Sequence, residues 1–227
     1  TDDLSNVDFK LIMEHVPEIN RLNVDVDSIS FDDPIDSSEI KISDWIDLAK
    51  IIEDNYSSYD GFVVLHGTDT MAYSASALSF MLENLGKPVI LTGSQLPIGT
   101  IRTDGKENLI TAIEIAASKD EKGEPRYKEV AVYFEYSLYR GNRCSKISAN
   151  QFEAFQSPNY PDLAVAGVHI DFRMKSQKFG DGPFQIFTDL DNRVALMKIY
   201  PGLKPQAYSS LFNLDVSKVV ILETFGA

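Results

Sequence analysis

The sequence predicts an α/β fold in which a mostly parallel sheet carries helices on both faces. Short apolar runs suited to buried strands alternate along the chain with segments whose apolar residues repeat at helical spacing. Glycine, proline and aspartate mark the junctions, as in Asp60-Gly61 and in Gly86 and Pro88. Because strand–helix–strand units cross over in a right-handed sense, this alternation predicts parallel neighbours within one sheet.

The first half of the predicted sheet lies between residues 43 and 92. Ser43 is a candidate N-cap, because apolar residues recur at helical spacing after it. The apolar run at 62–65 predicts a buried strand, and a helix is predicted from about residue 72 to residue 85, where Gly86 ends it. The run at 89–92 predicts the neighbouring strand.

The same order of elements continues through the middle of the chain. A loop is predicted over 93–103, and a helix follows over about 106–118. A charged turn at 119–128 leads into 129–136, where alternating and aromatic residues predict a strand. These elements would complete one large α/β domain, which we place at residues 1–175.

The rest of the sequence predicts a second, smaller unit. Strand-like runs at 184–188 and 194–200 are separated by a short polar turn, and this spacing predicts a β-hairpin. We place a connector at 176–193 and the beginning of a C-terminal α/β domain at 194–227, which ends just after a strand at 219–222. We expect the remainder of that domain to lie outside this sequence.

Composition and charge are typical of a soluble globular protein. Of the 227 residues, 44% are hydrophobic and 24% are charged. No apolar run reaches the ~18 residues that suggest a membrane span. The net charge of −13 opposes binding to nucleic acid or to an anionic membrane, since phosphate recognition relies on Lys and Arg. The single cysteine, Cys144, excludes an internal disulfide and is typical of a reducing compartment.

Metal binding is not indicated by the histidines or the cysteine. His15, His66 and His169 lie far apart in sequence and form no i,i+4 pair. We expect His66 to be structural at the end of a strand and Cys144 to be a small buried side chain. Gln95 follows the strand at 89–92, and we expect it to position a loop; the alternative is that it contacts the edge of the site.

Two polar residues follow the strand at 62–65 and are candidates for a functional site. Thr68 and Asp69 come after Gly67, where the chain should turn into the next helix. In open α/β sheets, ligands bind at the carboxyl ends of the strands. The alternative is that Thr68 or Asp69 caps the following helix, a common role for both residue types.

Three stretches together resemble the bacterial-type L-asparaginase family, in particular its cytosolic type I branch. They are His-Gly-Thr-Asp-Thr-Met-Ala-Tyr at 66–73, Gly-Lys-Pro-Val-Ile-Leu-Thr-Gly-Ser-Gln at 86–95, and Tyr-Arg-Gly-Asn-Arg at 139–143. The resemblance implies hydrolysis of L-asparagine to L-aspartate and ammonia through an acyl-threonine, with no metal or organic cofactor. It also implies a cytoplasmic homodimer or homotetramer.

The resemblance also implies roles for particular residues. Thr68, Asp69 and Lys146 correspond to a catalytic triad that assists the nucleophile, although an isolated Lys–Asp pair is usually only an ion pair. Thr68 and Asp69 would in addition bind substrate. So would the loop Asp36-Ser37-Ser38, for which the alternative is a capping turn before the helix at Ser43.

The sequence departs from the family pattern in two places. It contains no Thr-Gly-Gly-Thr-Ile motif, whose second threonine is the family's nucleophile, so we expect that strand to lie outside this sequence. Glu223 stands where some cytosolic members carry a regulatory arginine, and we therefore expect no such regulation. Two alternatives stay open: a non-catalytic scaffold of the same fold, and a related glutaminase or glutamyl-tRNA amidotransferase-type amidohydrolase.

Overall fold

The computed structural model describes residue 12 and residues 14–176, 180–213 and 215–225. The chain divides into two compact units, Thr1–Thr188 and Asp189–Ala227. Among the described residues, every helix is too short or too polar to cross a lipid bilayer.

The helices that flank the main sheet are α1 (Ile42–Asn55), α2 (Met71–Met81) and α3 (Gly105–Ala117). Short 3-10 helices span Pro17–Arg21, Ser37–Glu39 and Pro205–Phe212. The strands of the first unit are β1 (Phe62–Leu65), β2 (Leu82–Glu83), β3 (Val89–Thr92), β4 (Val130–Phe134), β5 (Ser137–Arg140), β6 (Ser145–Lys146), β7 (Phe155–Gln156), β8 (Ala164–Ala166), β9 (Ile170–Phe172) and β10 (Gln185–Ile186). The second unit contains β11 (Val194–Lys198) and β12 (Val219–Glu223).

The main sheet has six strands in the order β1-β3-β4-β5-β8-β9. The strands β1, β3 and β4 are mutually parallel, whereas β5, β8 and β9 each run antiparallel to the strand before them in this order. Four of the six strands, β1, β3, β4 and β8, therefore point in the same direction. The predicted α/β class is confirmed. The antiparallel half of the sheet is not predicted by the sequence analysis, which assigns no strand to the segments that form β5, β8 and β9.

Helices cover both faces of the parallel half. In β3, Val89 and Leu91 belong to the apolar cluster that contains residues of α1 and α2, while Ile90 belongs to the cluster around α3. All three side chains are fully buried. Burial on both faces explains why the strand is an uninterrupted apolar run and not an alternating one. Each such side chain contributes about 1.5–3 kcal/mol through removal from water.

The register of β1 and β3 brings two loops together at one edge of the sheet. Leu65, the last residue of β1, pairs with Thr92, the last residue of β3. Immediately beyond, a Cβ atom added to Gly93 would lie 2.1 Å from the carbonyl oxygen of His66, so only glycine permits this approach. The turn after β1 and the loop after β3 therefore pack side by side.

The predicted hairpin near the end of the chain is wrong. Strand β10 pairs antiparallel with β2, and β11 pairs parallel with β12 across an intervening 3-10 helix. Helix α2 ends at Met81, earlier than predicted, because Leu82 and Glu83 form the strand that receives β10. Phe184 stacks on Tyr56 with the ring centroids 3.8 Å apart, which fixes this segment to the first unit. Both pairings join residues distant in sequence, so local patterns could not reveal them.

Candidate active site

Thr68 and Asp69 lie in the turn between β1 and α2, and neither caps the helix. The N-cap of α2 is Thr70, and no side-chain hydrogen bond caps this helix. The Thr68 side chain is buried, whereas the Asp69 side chain is 64% exposed. The turn therefore presents a fixed hydroxyl beside a carboxylate that a solute can reach.

Lys146 joins the hydroxyl and the carboxylate. Its Nζ atom donates to Thr68 Oγ1 at 2.8 Å and to Asp69 Oδ1 at 2.7 Å. The lysine side chain is only 15% exposed, so these contacts are screened less than those of a surface ion pair. The structure thus brings together the three residues that the family resemblance selects as a triad; their catalytic role stays a prediction.

Packing beneath the lysine fixes its position. Lys146 pairs with Phe155 in the two-stranded β6–β7 ladder. The Phe155 ring packs on Phe134 with centroids 5.0 Å apart, and its carbonyl accepts a hydrogen bond from the Tyr139 hydroxyl at 3.1 Å. Since Phe134 is the last residue of β4, this contact packs the β6–β7 ladder, and with it Lys146, against the main sheet.

Gln95 completes the hydrogen bonds of Thr68. Because Lys146 donates to Thr68 Oγ1, the hydroxyl proton points elsewhere, and it is donated to Gln95 Oε1 at 2.9 Å. The Gln95 amide donates in turn to the carbonyl of Gln151 at 3.0 Å. The hydroxyl of Thr68 is therefore held from two sides, and one lone pair of Oγ1 stays free for a third partner.

The loop that carries Gln95 is held by a buried carboxylate. Both oxygens of Asp104 accept from the backbone N–H of Gln95, at 3.0 and 2.9 Å, and one of them also accepts from Leu96 N–H. Asn108 donates to Asp104 and to the carbonyl of Gly93. The sequence analysis gives contact of Gln95 with the edge of the site only as the alternative to loop positioning, and it does not identify Thr68 as the partner. The signal for this contact is the place of Gln95 at the carboxyl end of the strand beside β1.

The three residues of the loop at 36–38 differ in their exposure and in their contacts. Asp36 accepts from the backbone N–H and the hydroxyl of Ser38, at 2.9 and 2.8 Å, and these bonds lower the pKa of Asp36. Both residues are exposed, and Asp36 is the N-cap of the short helix Ser37–Glu39. The α-helix that follows has Lys41 as its N-cap, so the loop does not cap that helix directly. Ser37 alone is buried against the turn of Thr68.

Ser37 contacts the turn through two features. Its carbonyl accepts a hydrogen bond of 2.6 Å from the Thr70 hydroxyl. A Cβ atom added to Gly67 would lie 2.5 Å from Ser37 Oγ, so the serine hydroxyl lies directly against the glycine backbone. The structure therefore groups Ser37 with Thr68 and Asp69, whereas the side chains of Asp36 and Ser38 bond to each other.

A cleft of about 590 Å³ is lined by Asp69 and Lys146. Tyr73 and Ser76 of α2 also line it. Cys144 also lines the cleft, yet its side chain is buried, and burial raises the pKa of its thiol to about 11, which keeps the thiol protonated at neutral pH. Within the part of the chain that the structure describes, no three His, Cys, Asp or Glu side chains are grouped as a metal site.

Comparisons with known proteins agree with this arrangement. The curated relatives include L-asparaginase 1 of Escherichia coli, 44% identical over 193 residues, which are 85% of this chain and 55% of the relative. They also include the 60 kDa lysophospholipase of Mus musculus, 43% identical over 194 residues, which are 85% of this chain and 33% of the relative. The chain thus spans only part of the relatives that it matches.

A solved structure and a family model are also similar to this chain, and both are asparaginases by description. The crystal structure of L-asparaginase I from Vibrio cholerae superimposes with a TM-score of 0.84 at 40% identity, covering 96% of this chain and 65% of that one. The family model described as "Asparaginase, N-terminal" matches residues 2–178, which contain every residue of the site described above. The chain therefore belongs to the asparaginase family and carries its N-terminal domain.

Proposed function

We propose that the complete protein is an L-asparaginase, which hydrolyses L-asparagine to L-aspartate and ammonia. The observation that carries the proposal is the contact of Lys146 Nζ with both Thr68 Oγ1 and Asp69 Oδ1. Hydrolysis of an amide needs a nucleophile, a path for its proton and groups that orient the substrate. The last two can be assigned to residues of this chain.

Thr68 and Lys146 handle the proton of the nucleophile. The free lone pair of Thr68 Oγ1 accepts a hydrogen bond from the hydroxyl of the nucleophile, and the lysine ammonium stabilises the negative charge that develops on that oxygen as it attacks the amide carbon. The proton of the nucleophile leaves with the amide nitrogen as ammonia, so Lys146 does not have to accept it. We assign the nucleophile to a second threonine, in the family motif Thr-Gly-Gly-Thr-Ile, which this sequence does not contain. An acyl-threonine intermediate would then release aspartate on hydrolysis.

Asp69 and Ser37 orient the substrate. The exposed carboxylate of Asp69 can accept a hydrogen bond from the α-ammonium group of asparagine, which pairs unlike charges in the cleft. Ser37 lies next to the same turn, where its hydroxyl can donate to the α-carboxylate. Asp36 and Ser38 complete the loop and hold Ser37 in place, and we do not require any cofactor or metal for these steps.

The assembly and location follow the family resemblance. We propose a cytoplasmic homodimer or homotetramer that acts on a small molecule and binds neither nucleic acid nor membrane. The net charge of −13 supports the last two points. We keep the domain limits of 1–175, 176–193 and 194–227 as our proposal for the organisation of the longer protein.

The test is ammonia release by the purified full-length protein. L-asparagine, L-glutamine and a lysophospholipid should be assayed side by side, the last because one relative bears the name lysophospholipase. We expect the highest kcat/KM with L-asparagine. Turnover of the lysophospholipid without release of ammonia from asparagine would refute the proposal, and a preference for glutamine would move it to a glutaminase.

A further inference from the structure

A chain of three hydrogen bonds connects two helices to the turn that carries Thr68. The indole Nε1–H of Trp45, in α1, donates to Ser74 Oγ, in α2, at 2.8 Å. Ser74 Oγ lies 2.7 Å from Nε2 of His66, and Nδ1 of His66 lies 2.7 Å from the carbonyl oxygen of Gly67. The hydrogen bonds described above for Thr68, Asp69 and Lys146 involve none of these three side chains.

The hydrogen-bond partners determine which atom carries the proton in each of these three hydrogen bonds. A carbonyl oxygen only accepts, so Nδ1 of His66 must carry a proton and donate to Gly67. In the neutral ring Nε2 is then an acceptor, and the Ser74 hydroxyl donates to it while accepting from Trp45. Ser74 is completely buried, so water cannot replace either bond. Burial also lowers the pKa of His66, which favours the neutral ring that this pattern needs.

The last of these hydrogen bonds, from His66 to the Gly67 carbonyl, holds the peptide group that precedes Thr68. The Gly67 carbonyl belongs to the planar unit that includes the Thr68 nitrogen and Cα, so fixing the oxygen fixes the orientation of Thr68. Glycine itself imposes little conformational restraint. On its other side Gly67 packs against Ser37 Oγ, so a tilt of this peptide would also displace Ser37.

We propose that His66 is a positioning residue for amide hydrolysis, which acts through the Gly67 carbonyl and has its tautomer set by Ser74 and Trp45. The inference rests on the proposed function, since it assigns a role in the same reaction. A displacement of about 1 Å at a reacting group can cost on the order of 10²-fold in rate. Loss of these hydrogen bonds should therefore lower kcat more than it changes KM.

The experiment compares four variants of the full-length protein. Ser74→Ala breaks the chain in its middle, and His66→Phe keeps a planar ring but removes both nitrogens. His66→Asn is the conservative variant, because its amide can replace Nδ1–H as a donor to Gly67. Ser79→Ala is the matched control, since this hydroxyl lies on the same helix and bonds only to the Ala75 carbonyl, at 2.7 Å.

We expect kcat for L-asparagine to fall about 10- to 100-fold in Ser74→Ala and His66→Phe, to recover at least partly in His66→Asn, and to stay near wild type in Ser79→Ala. Equal kcat in Ser74→Ala and Ser79→Ala would overturn the inference, and so would equal loss in His66→Phe and His66→Asn. If the wild-type protein releases no ammonia from asparagine, the proposed function fails, which is a different result from an active wild type with insensitive variants.

Nitrogen NMR of the wild-type protein gives a test that does not depend on the folding of any variant. With ¹⁵N-labelled histidine, the signal of His66 should show a protonated Nδ1 and an unprotonated Nε2 at neutral pH. The Nε2–H tautomer, or a doubly protonated ring, would contradict the chain of hydrogen bonds and overturn the inference.

Discussion

The hydroxyl of Thr68 is held by two hydrogen bonds in the candidate site. It accepts from Lys146 and donates to Gln95, so its rotation is fixed before any substrate arrives. A buried hydroxyl held in this way has lost the freedom that a surface threonine keeps. Such preorganisation contributes to a rate only when the fixed direction matches the reaction, which makes Thr68 the residue to test first.

Replacement of Thr68 by valine tests its part in proton transfer. Valine keeps the branched shape and removes the hydroxyl, so we expect kcat for L-asparagine to fall by about 10²–10⁴-fold. The free energy of unfolding should drop by about 1–3 kcal/mol, because the hydrogen bonds with Lys146 and Gln95 are both lost. Steady-state kinetics and thermal unfolding of the full-length protein measure both quantities.

A second threonine provides the control for this variant. Thr92 is also buried, and its hydroxyl donates to the Tyr133 carbonyl at 2.9 Å without contacting Lys146. Thr92→Val should lower stability by a similar amount and leave most of the activity. If Thr68→Val retains more than about a tenth of the wild-type kcat, the role in proton transfer is wrong.

Asp69→Asn tests the contact with the α-ammonium group. The amide removes the negative charge while keeping the shape, so affinity for both asparagine and the product aspartate should fall by about tenfold or more. Isothermal titration calorimetry with aspartate measures this directly. Asp47→Asn is the control, because Asp47 forms an exposed ion pair with Lys50 at 3.8 Å within helix α1 and does not belong to the candidate site. Unchanged aspartate affinity in Asp69→Asn would argue against the contact.

At the scale of the elements, the sequence predicted the parts whose signals are local. The apolar runs that form β1 and β3 and the helix before them were predicted because each has its own apolar pattern, although β1 is only half-buried and the helix begins at Ile42, with Lys41 and not Ser43 as its N-cap. The hydrogen bond from Thr68 to Gln95 was not recognised, since it depends on the register of β1 against β3. The mutual bonding of Asp36 and Ser38 was considered only as an alternative, because the resemblance favoured contact with substrate.

The close approach of two strand ends gives a prediction at this scale. Because a Cβ atom at Gly93 would lie 2.1 Å from the His66 carbonyl, Gly93→Ala must push the ends of β1 and β3 apart. We expect a loss of roughly 1–3 kcal/mol in the free energy of unfolding, together with lower activity, since the turn of Thr68 would move. Urea unfolding and steady-state kinetics check the two effects.

Gly167→Ala is the matched control for that change. The nearest atom to an added Cβ there is the His169 carbonyl oxygen at 3.8 Å, an ordinary contact distance. This variant should keep both stability and activity. If Gly93→Ala were as stable and as active as Gly167→Ala, the strand ends would adjust more easily than their spacing implies, and the prediction would be wrong.

At the scale of the whole chain, the dominant property is its acidity. There are 34 Asp and Glu residues against 21 Lys and Arg residues. Two largely buried cations have acidic partners, since Arg140 pairs with Glu129 at 2.6 Å and Lys146 bonds to Asp69. A field of this sign repels a polyanion while a cleft can still attract a small zwitterion through its own local charges.

We therefore expect the acidity to oppose a reaction on a glutamyl group attached to tRNA. Binding of tRNA depends on Lys and Arg contacts with phosphates, and the affinity of such contacts rises steeply as the salt concentration falls. We expect the full-length protein to show no binding of tRNA by fluorescence anisotropy, even at about 50 mM salt, where phosphate contacts are strongest. A basic protein of similar size in the same titration would confirm that the assay detects such contacts. Saturable binding that weakens linearly with the logarithm of the salt concentration would contradict the prediction and reopen the tRNA-linked reaction.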